Sequence, residues 1–197
     1  MSEPKKTNYD ESKIKTLSSL EHIRLRTGMY IGRIGNGSHY DDGCYILLKE
    51  VIDNAIDEFI MGHGREVQVT IENGAVTVRD FGRGIPLGKI VDCVSTINTG
   101  AKYNDEVFQF SVGLNGVGTK AVNALSEYFR VQAVREGKTK IAEFKRGDLK
   151  VNEKEKSCTE KNGTMFSFVP DETVFHNYRF NHEYVSNMLW YYVYLNK

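Results

Sequence analysis

The chain has 197 residues, with 26 Lys and Arg balanced by 26 Asp and Glu. Its formal charge is zero, which excludes a surface built to neutralise a phosphate backbone unaided. Hydrophobic residues make 40% and charged residues 26%, usage that fits a folded domain and not a disordered chain, and this length buries roughly 70% of the unfolded surface.

In chain order, residues 1–18 form a polar arm carrying Tyr9, and residues 19–197 read as one domain. No apolar run is long enough to span a membrane and the start lacks a secretion signal. The three cysteines, Cys44, Cys93 and Cys158, are widely spaced, against a disulfide framework or zinc site and in keeping with a reducing cytosol. A short helix is expected over 19–26, then a turn and an extended piece over 27–32. Over 44–61 the apolar residues Leu48, Val51, Ile52, Ala55, Ile56 and Phe59 recur at helical spacing, and Gly62 and Gly64 end the run. Val67, Val69 and Ile71 then alternate with polar residues, Asn73-Gly74 supplies a turn favouring positive φ, and Val76 and Val78 resume the alternation.

Further on, helices are expected over 89–97 and 117–127, strands over 129–135 and 139–145 joined at Gly137, and an irregular charged segment over 148–162. A strand over 164–169 and an aromatic-rich helix over 181–195 follow, with Trp190, Tyr191, Tyr192 and Tyr194 read as helix packing. Strands and helices mixed without βαβ alternation predict an α+β fold, a two-layer sandwich of a mixed, mostly antiparallel sheet with helices on one face.

Three constellations carry possible chemistry. On the 44–61 helix, Glu50, Asp53, Asn54 and Asp57 stand at i, i+3, i+4 and i+7, so their side chains share a face. Taken alone, a solvated acidic face is the commoner reading, since charges opposite a core stripe are the norm. Against it, the acids repel and Asn54 is a poor helix former, whereas an amide among carboxylates suits a magnesium ion that keeps water and phosphate ligands. The second is Asp80-Phe-Gly-Arg-Gly-Ile-Pro86, after a strand. Its glycines admit close approach of a flat ligand, and a carboxylate at the strand end accepts hydrogen bonds from an amine such as that of adenine; a strand-closing turn is the alternative. The Asp80-Phe81-Gly82 triplet matches a protein-kinase motif by letter, but the accompanying kinase motifs are missing. The third is Gly113-Leu114-Asn115-Gly116-Val117-Gly118, leading into a helix, a junction whose open N–H groups suit a phosphate. It matches neither the Walker loop nor the dinucleotide fingerprint.

With these boxes in this order, and with Gly163-Thr164 heading a strand, the chain resembles the GHKL ATPases, named for gyrase, the Hsp90 chaperone, histidine kinases and the MutL repair protein. Within that family it is similar to the B subunits of bacterial type II topoisomerases, DNA gyrase and topoisomerase IV. Arg26-Thr-Gly-Met-Tyr-Ile-Gly32, Glu50-Val-Ile-Asp-Asn-Ala-Ile-Asp-Glu58, Gly82-Arg-Gly-Ile-Pro86 and Val122-Asn-Ala-Leu-Ser126 carry the likeness.

The resemblance implies a domain that binds Mg-ATP and hydrolyses it to drive DNA strand passage, slowly when isolated from its transducer and DNA-gate regions. It implies Glu50 as general base, Asn54 as the protein ligand of Mg2+, Asp80 as the adenine acceptor with Thr164 beside it, and Asp57 near the nucleotide. Gly113, Leu114, Asn115, Gly116, Val117, Gly118 and Lys102 would hold the phosphates. Arg83 would pair with Glu58 along the adenine rim, near Gly84 and Ile85, with Pro86 and Arg135 forming the shelf where gyrase-B-type inhibitors sit. Tyr9 and Tyr30 would serve an ATP-dependent homodimer, and the partners would be a topoisomerase A-type subunit and DNA, in the cytoplasm at the nucleoid. The chain departs from the family at Ile46, where histidine is frequent, at Thr27, where proline is usual, and at Phe81, where gyrase often has an acid. The rival readings are a chaperone or mismatch-repair clamp and a nucleotide-binding module without turnover.

Overall fold

A computed structural model describes residues 10–100 and 116–196. Tyr9, Lys102, Gly113, Leu114 and Asn115 lie outside the described residues. Two short helices, α1 (Ser19–Leu25) and α2 (Gly28–Ile31), precede the long helix α3 (Gly43–Ile60). The expected turn and extended piece at 27–32 is instead a helical turn: Thr27 Oγ1 donates to the Arg24 carbonyl at 3.0 Å, and Gly32, at φ +64°, stops it. Strands β1 (Val67–Glu72) and β2 (Ala75–Asp80) follow α3 as a hairpin. Asn73 and Gly74 both take positive φ, 50° and 83°, as a two-residue turn matched to strand twist requires.

After β2 come a short 3-10 turn, Leu87–Lys89, and α4 (Ile90–Ser95). Helix α5 (Gly118–Ala124) ends earlier than the sequence predicts, and β3 (Ser126–Arg135) begins at once. Then come β4 (Lys138–Lys145), β5 (Asp148–Asn152), β6 (Lys156–Ser157), β7 (Gly163–Pro170) and α6 (His182–Leu195). The expected irregular segment thus contains two strands. Arg146 and Gly147 sit at φ 52° and 88° and repeat the hairpin geometry of Glu136-Gly137, so β5 folds back on β4.

The sheet runs β1-β2-β7-β3-β4-β5, with β6 also on β4, and every ladder among the described residues is antiparallel. Helix α3 packs on β1, β2, β7 and α5, and α5 packs also on β3, which gives one helical layer on one sheet face. The core between them holds Tyr45, Leu47, Leu48, Val51 and Ile52 from α3 and Val78, Phe129, Phe166 and Phe168 from the strands, each large apolar side chain contributing about 1.5–3 kcal/mol by burial. On α6, Tyr192 packs against this core, whereas Trp190 and Tyr194 stack on each other at the surface and Tyr191 is exposed. The packing expected for that aromatic run holds only for Tyr192.

Candidate nucleotide site

Alternation along β2 and β7 decides which residues meet. Asp80 closes β2 and Thr164 is the second residue of β7; both are buried, and Asp80 Oδ1 accepts backbone hydrogen bonds from Thr164 at 3.1 Å and Gly82 at 2.8 Å. With Oδ1 satisfied twice, Oδ2 is the acceptor left to an incoming donor. Burial pushes the Asp80 carboxyl up to about 6, against the two backbone bonds that lower it. Thr164 Oγ1 in turn accepts from the Ile85 N–H at 3.3 Å. Two glycines make this approach possible. A Cβ on Gly163 would stand 2.1 Å from the Asp80 carbonyl oxygen, and one on Gly84 would stand 2.4 Å from that of Val134.

The loop after β2 is tied to the end of α3. Glu58 Oε2 accepts from the Arg83 backbone N–H at 2.8 Å and from its Nε at 3.1 Å, and Oε1 accepts from Nη2 at 2.9 Å. Burial works against the Glu58 charge, but these bonds outweigh it and hold the carboxyl below its ordinary value. Arg135, half-buried at the end of β3, reaches the Gly84 carbonyl at 3.4 Å and pairs with Glu136 at 3.1 Å. Pro86, two residues after Gly84, is exposed.

Earlier on α3, by two turns and one turn, lie Glu50 and Asn54, both half-buried, with Asn54 Nδ2 donating to the Glu50 carbonyl at 2.6 Å. That bond fixes the amide on α3, and an amide oxygen is of the hard-acceptor type that a cation such as magnesium takes. The Glu50 carboxylate rests against the start of α5, where Gly118 leaves room for it: a Cβ there would lie 1.7 Å from Glu50 Oε2. Gly116, at φ +60°, and Val117 lead into that turn. The solvated acidic face is therefore wrong for this helix. Asp53 and Asp57 are 3% and 1% exposed, and Asp53 is held by Lys49 at 2.5 Å and by the Tyr192 hydroxyl. Among the described residues, no group of three or more His, Cys, Asp or Glu converges as a metal site.

The sequence-predicted residues thus gather into two clusters, Asp80, Arg83, Gly84, Ile85, Arg135 and Thr164 at one end and Glu50, Asn54 and Gly118 at the other. The α3 stretch from Glu50 to Glu58 joins them, about 12 Å along the axis at 1.5 Å per residue. Sequence reasoning missed Lys120, a buried lysine on α5 whose Nζ donates to the Thr99 carbonyl at 2.7 Å. It also missed Tyr192 as the cover of Asp53. Neither has a local sequence signal, because each depends on a contact between distant segments.

Comparison with known proteins agrees with this geometry. Residues 40–174 match the family model described as histidine kinase-, DNA gyrase B-, and HSP90-like ATPase. The chain is 58% identical over 193 residues to the B subunit of DNA topoisomerase 4 from Borreliella burgdorferi, covering 98% of this chain and 32% of the relative. It is 40% identical over 187 residues to the B subunit of DNA gyrase from Thermus thermophilus, covering 88% and 28%. It therefore spans about a third of the length of the curated relatives it matches. Among solved structures it is similar to the 43K ATPase domain of Thermus thermophilus gyrase B in complex with an aminocoumarin, with a TM-score of 0.75 and 32% identity, over 91% of this chain and 46% of that one.

Proposed function

The chain belongs to the histidine kinase-, DNA gyrase B- and HSP90-like ATPase family, and from that premise we propose that it is the ATP-binding and ATP-hydrolysing domain of the B subunit of a bacterial type II topoisomerase. Residues 19–197 form the nucleotide domain and 1–18 an arm, with transducer and DNA-gate functions supplied elsewhere in the full-length protein. The observation that carries this reading is the placement of the Glu50 carboxylate against Gly118 while Asp80, in the cluster at the Glu58 end of the same helix, keeps Oδ2 as an open acceptor.

ATP lies along α3 in this reading. Asp80 accepts the adenine amino hydrogen, and Thr164, Gly84 and Ile85 form the wall beside the base. Arg83, fixed by Glu58, closes the rim, where Arg135 and Pro86 make the shelf for inhibitors such as the aminocoumarin of the gyrase B relative. Gly116, Val117 and Gly118, with Lys102, Gly113, Leu114 and Asn115, hold the phosphates. Glu50 orients the attacking water and takes its proton, a general-base role that typically contributes about 10² to 10⁴ in rate. The Asn54 oxygen, beside the buried Asp57, fits Mg2+; the ion, when bound, neutralises triphosphate charge.

The wider partners follow the family: an ATP-dependent homodimer through the arm with Tyr9, a topoisomerase A-type subunit and DNA, in the bacterial cytoplasm. No helix among the described residues is long and apolar enough to cross a membrane. Calorimetry and turnover on two variants test the assignment. Glu50→Ala retains nucleotide binding and loses hydrolysis, whereas Asp80→Asn loses binding; unaltered affinity in Asp80→Asn rejects the adenine role.

A further inference from the structure

The helical layer covers one face of the sheet. On the other face, β1, β2 and β7 hold a cleft of about 380 Å³ whose lining includes Thr70, Thr77, Arg79, Phe81, Lys161 and Met165, within the size range of small-molecule sites. Because successive strand residues leave opposite faces, Asp80 and Thr164 turn to the helical side while their neighbours Arg79 and Met165 face this cleft, and those two are paired in register.

Arg79 is the unusual group. It is 9% exposed, and its Nη2 donates to the Lys161 carbonyl at 2.7 Å. Its Nη1 is buried with no acceptor, and the guanidinium lies over the Phe81 ring, 5.1 Å from the centroid. Among the described residues it makes no ion pair. Glu160, the acid on the cleft rim, instead accepts from the Gln132 amide at 3.3 Å. A nearly buried cation without a direct ion pair is costly, the Asp80 carboxylate acting on it only through space from the next residue, and the exposed Lys161 adds a second positive charge at the same mouth.

We propose that this cleft binds a small planar organic anion, its carboxylate or phosphate oxygens meeting Arg79 and Lys161 and its ring packing on Met165 and Phe81. A small rotation of the guanidinium presents Nη1 to the anion and gives the orphaned donor an acceptor. The site is separate from the nucleotide pocket and independent of that assignment.

Backbone amide NMR titration with naphthoate, phenyl phosphate and uncharged naphthamide tests it. Saturable shifts confined to β1, β2, β7 and the adjoining Phe81 and residues 160–161 are expected for at least one anion, and the stronger of the two identifies the oxyanion class. Naphthamide should bind at least about tenfold more weakly, and so should naphthoate to Arg79→Met, as loss of a charge-assisted bond implies. Should Arg79→Met fold poorly, Thr70→Trp, at an exposed position, fills the cleft without touching the guanidinium and abolishes binding. Absence of saturable shifts with both anions, equal affinity for naphthamide, unchanged binding in Thr70→Trp, or displacement by an ATP analogue overturns the proposal.

Discussion

The Glu50 carboxylate stands where any side chain on Gly118 would have to be, with a Cβ at that position 1.7 Å from Oε2. The glycine at the start of α5 is thus a seat for the proposed general base. Gly118 does not adopt positive φ, so its backbone accepts alanine, and the group that must yield is the flexible end of Glu50.

Gly118→Ala is therefore expected to displace Glu50 and lower turnover by about 10²-fold without loss of thermal stability, since alanine favours a helix over glycine. In a Glu50→Ala background the same change should add almost nothing, the signature of two sites acting through one group. Steady-state ATPase assays with thermal unfolding read both quantities. Full additivity of the two changes would refute the seating role.

Asp80 makes nucleotide affinity pH-dependent. Its folded carboxyl is raised by burial from 3.8 to about 6, so only above about pH 6 is it the ionised acceptor that an amine requires. Affinity should fall by up to about tenfold per unit below pH 6, and the same series with adenosine, which carries no phosphates, separates this from the titration of the phosphates themselves. Stability carries the opposite sign. A raised folded value means that protonation favours the fold, so the Asp80 contribution improves as pH falls from 6 towards 3.8. Calorimetry for binding and urea unfolding for stability should move in opposite directions.

The Glu58–Arg83 link predicts a stability effect of the other sense. Arg83→Ala leaves a Glu58 side chain that is 18% exposed without its partner, at a cost of about 1–3 kcal/mol. Because the folded Glu58 value is depressed, the contribution is present above the unfolded value of 4.5 and is lost as pH falls through the folded one. Urea unfolding should show the deficit near neutrality and a smaller deficit in acid. A deficit independent of pH would locate the loss in packing.

Tyr192 joins α6 to the buried acid on α3. Burial and the Asp53 hydrogen bond both push its hydroxyl upward, so it stays protonated and donates. Tyr192→Phe should destabilise the fold by about 1–2 kcal/mol, measurable by urea unfolding. An unchanged midpoint would show that Lys49 alone satisfies Asp53.

The α3 helix and the Asn73-Gly74 hairpin were legible because period and turn chemistry are local. The Arg146-Gly147 turn carried a similar signal, but β5 was masked by its charge: its residues are largely exposed, so alternation does not show. Burial of Asp53 was not legible, because helical spacing places it on a face without saying that Tyr192 of α6 covers it. In the site, Asp80, Gly84 and Thr164 were readable as motif letters. The reason for Gly163, whose Cβ would meet the Asp80 carbonyl, appears only when β2 and β7 are paired.

The most direct measurement is a crystal structure with Mg2+ and a non-hydrolysable ATP analogue. It is expected to show the adenine amine on Asp80 Oδ2, the phosphates against Gly116 and Gly118, and a water held by Glu50 at the terminal phosphate. A nucleotide bound elsewhere, or one that leaves Glu50 and Asp80 on separate surfaces, would contradict the account.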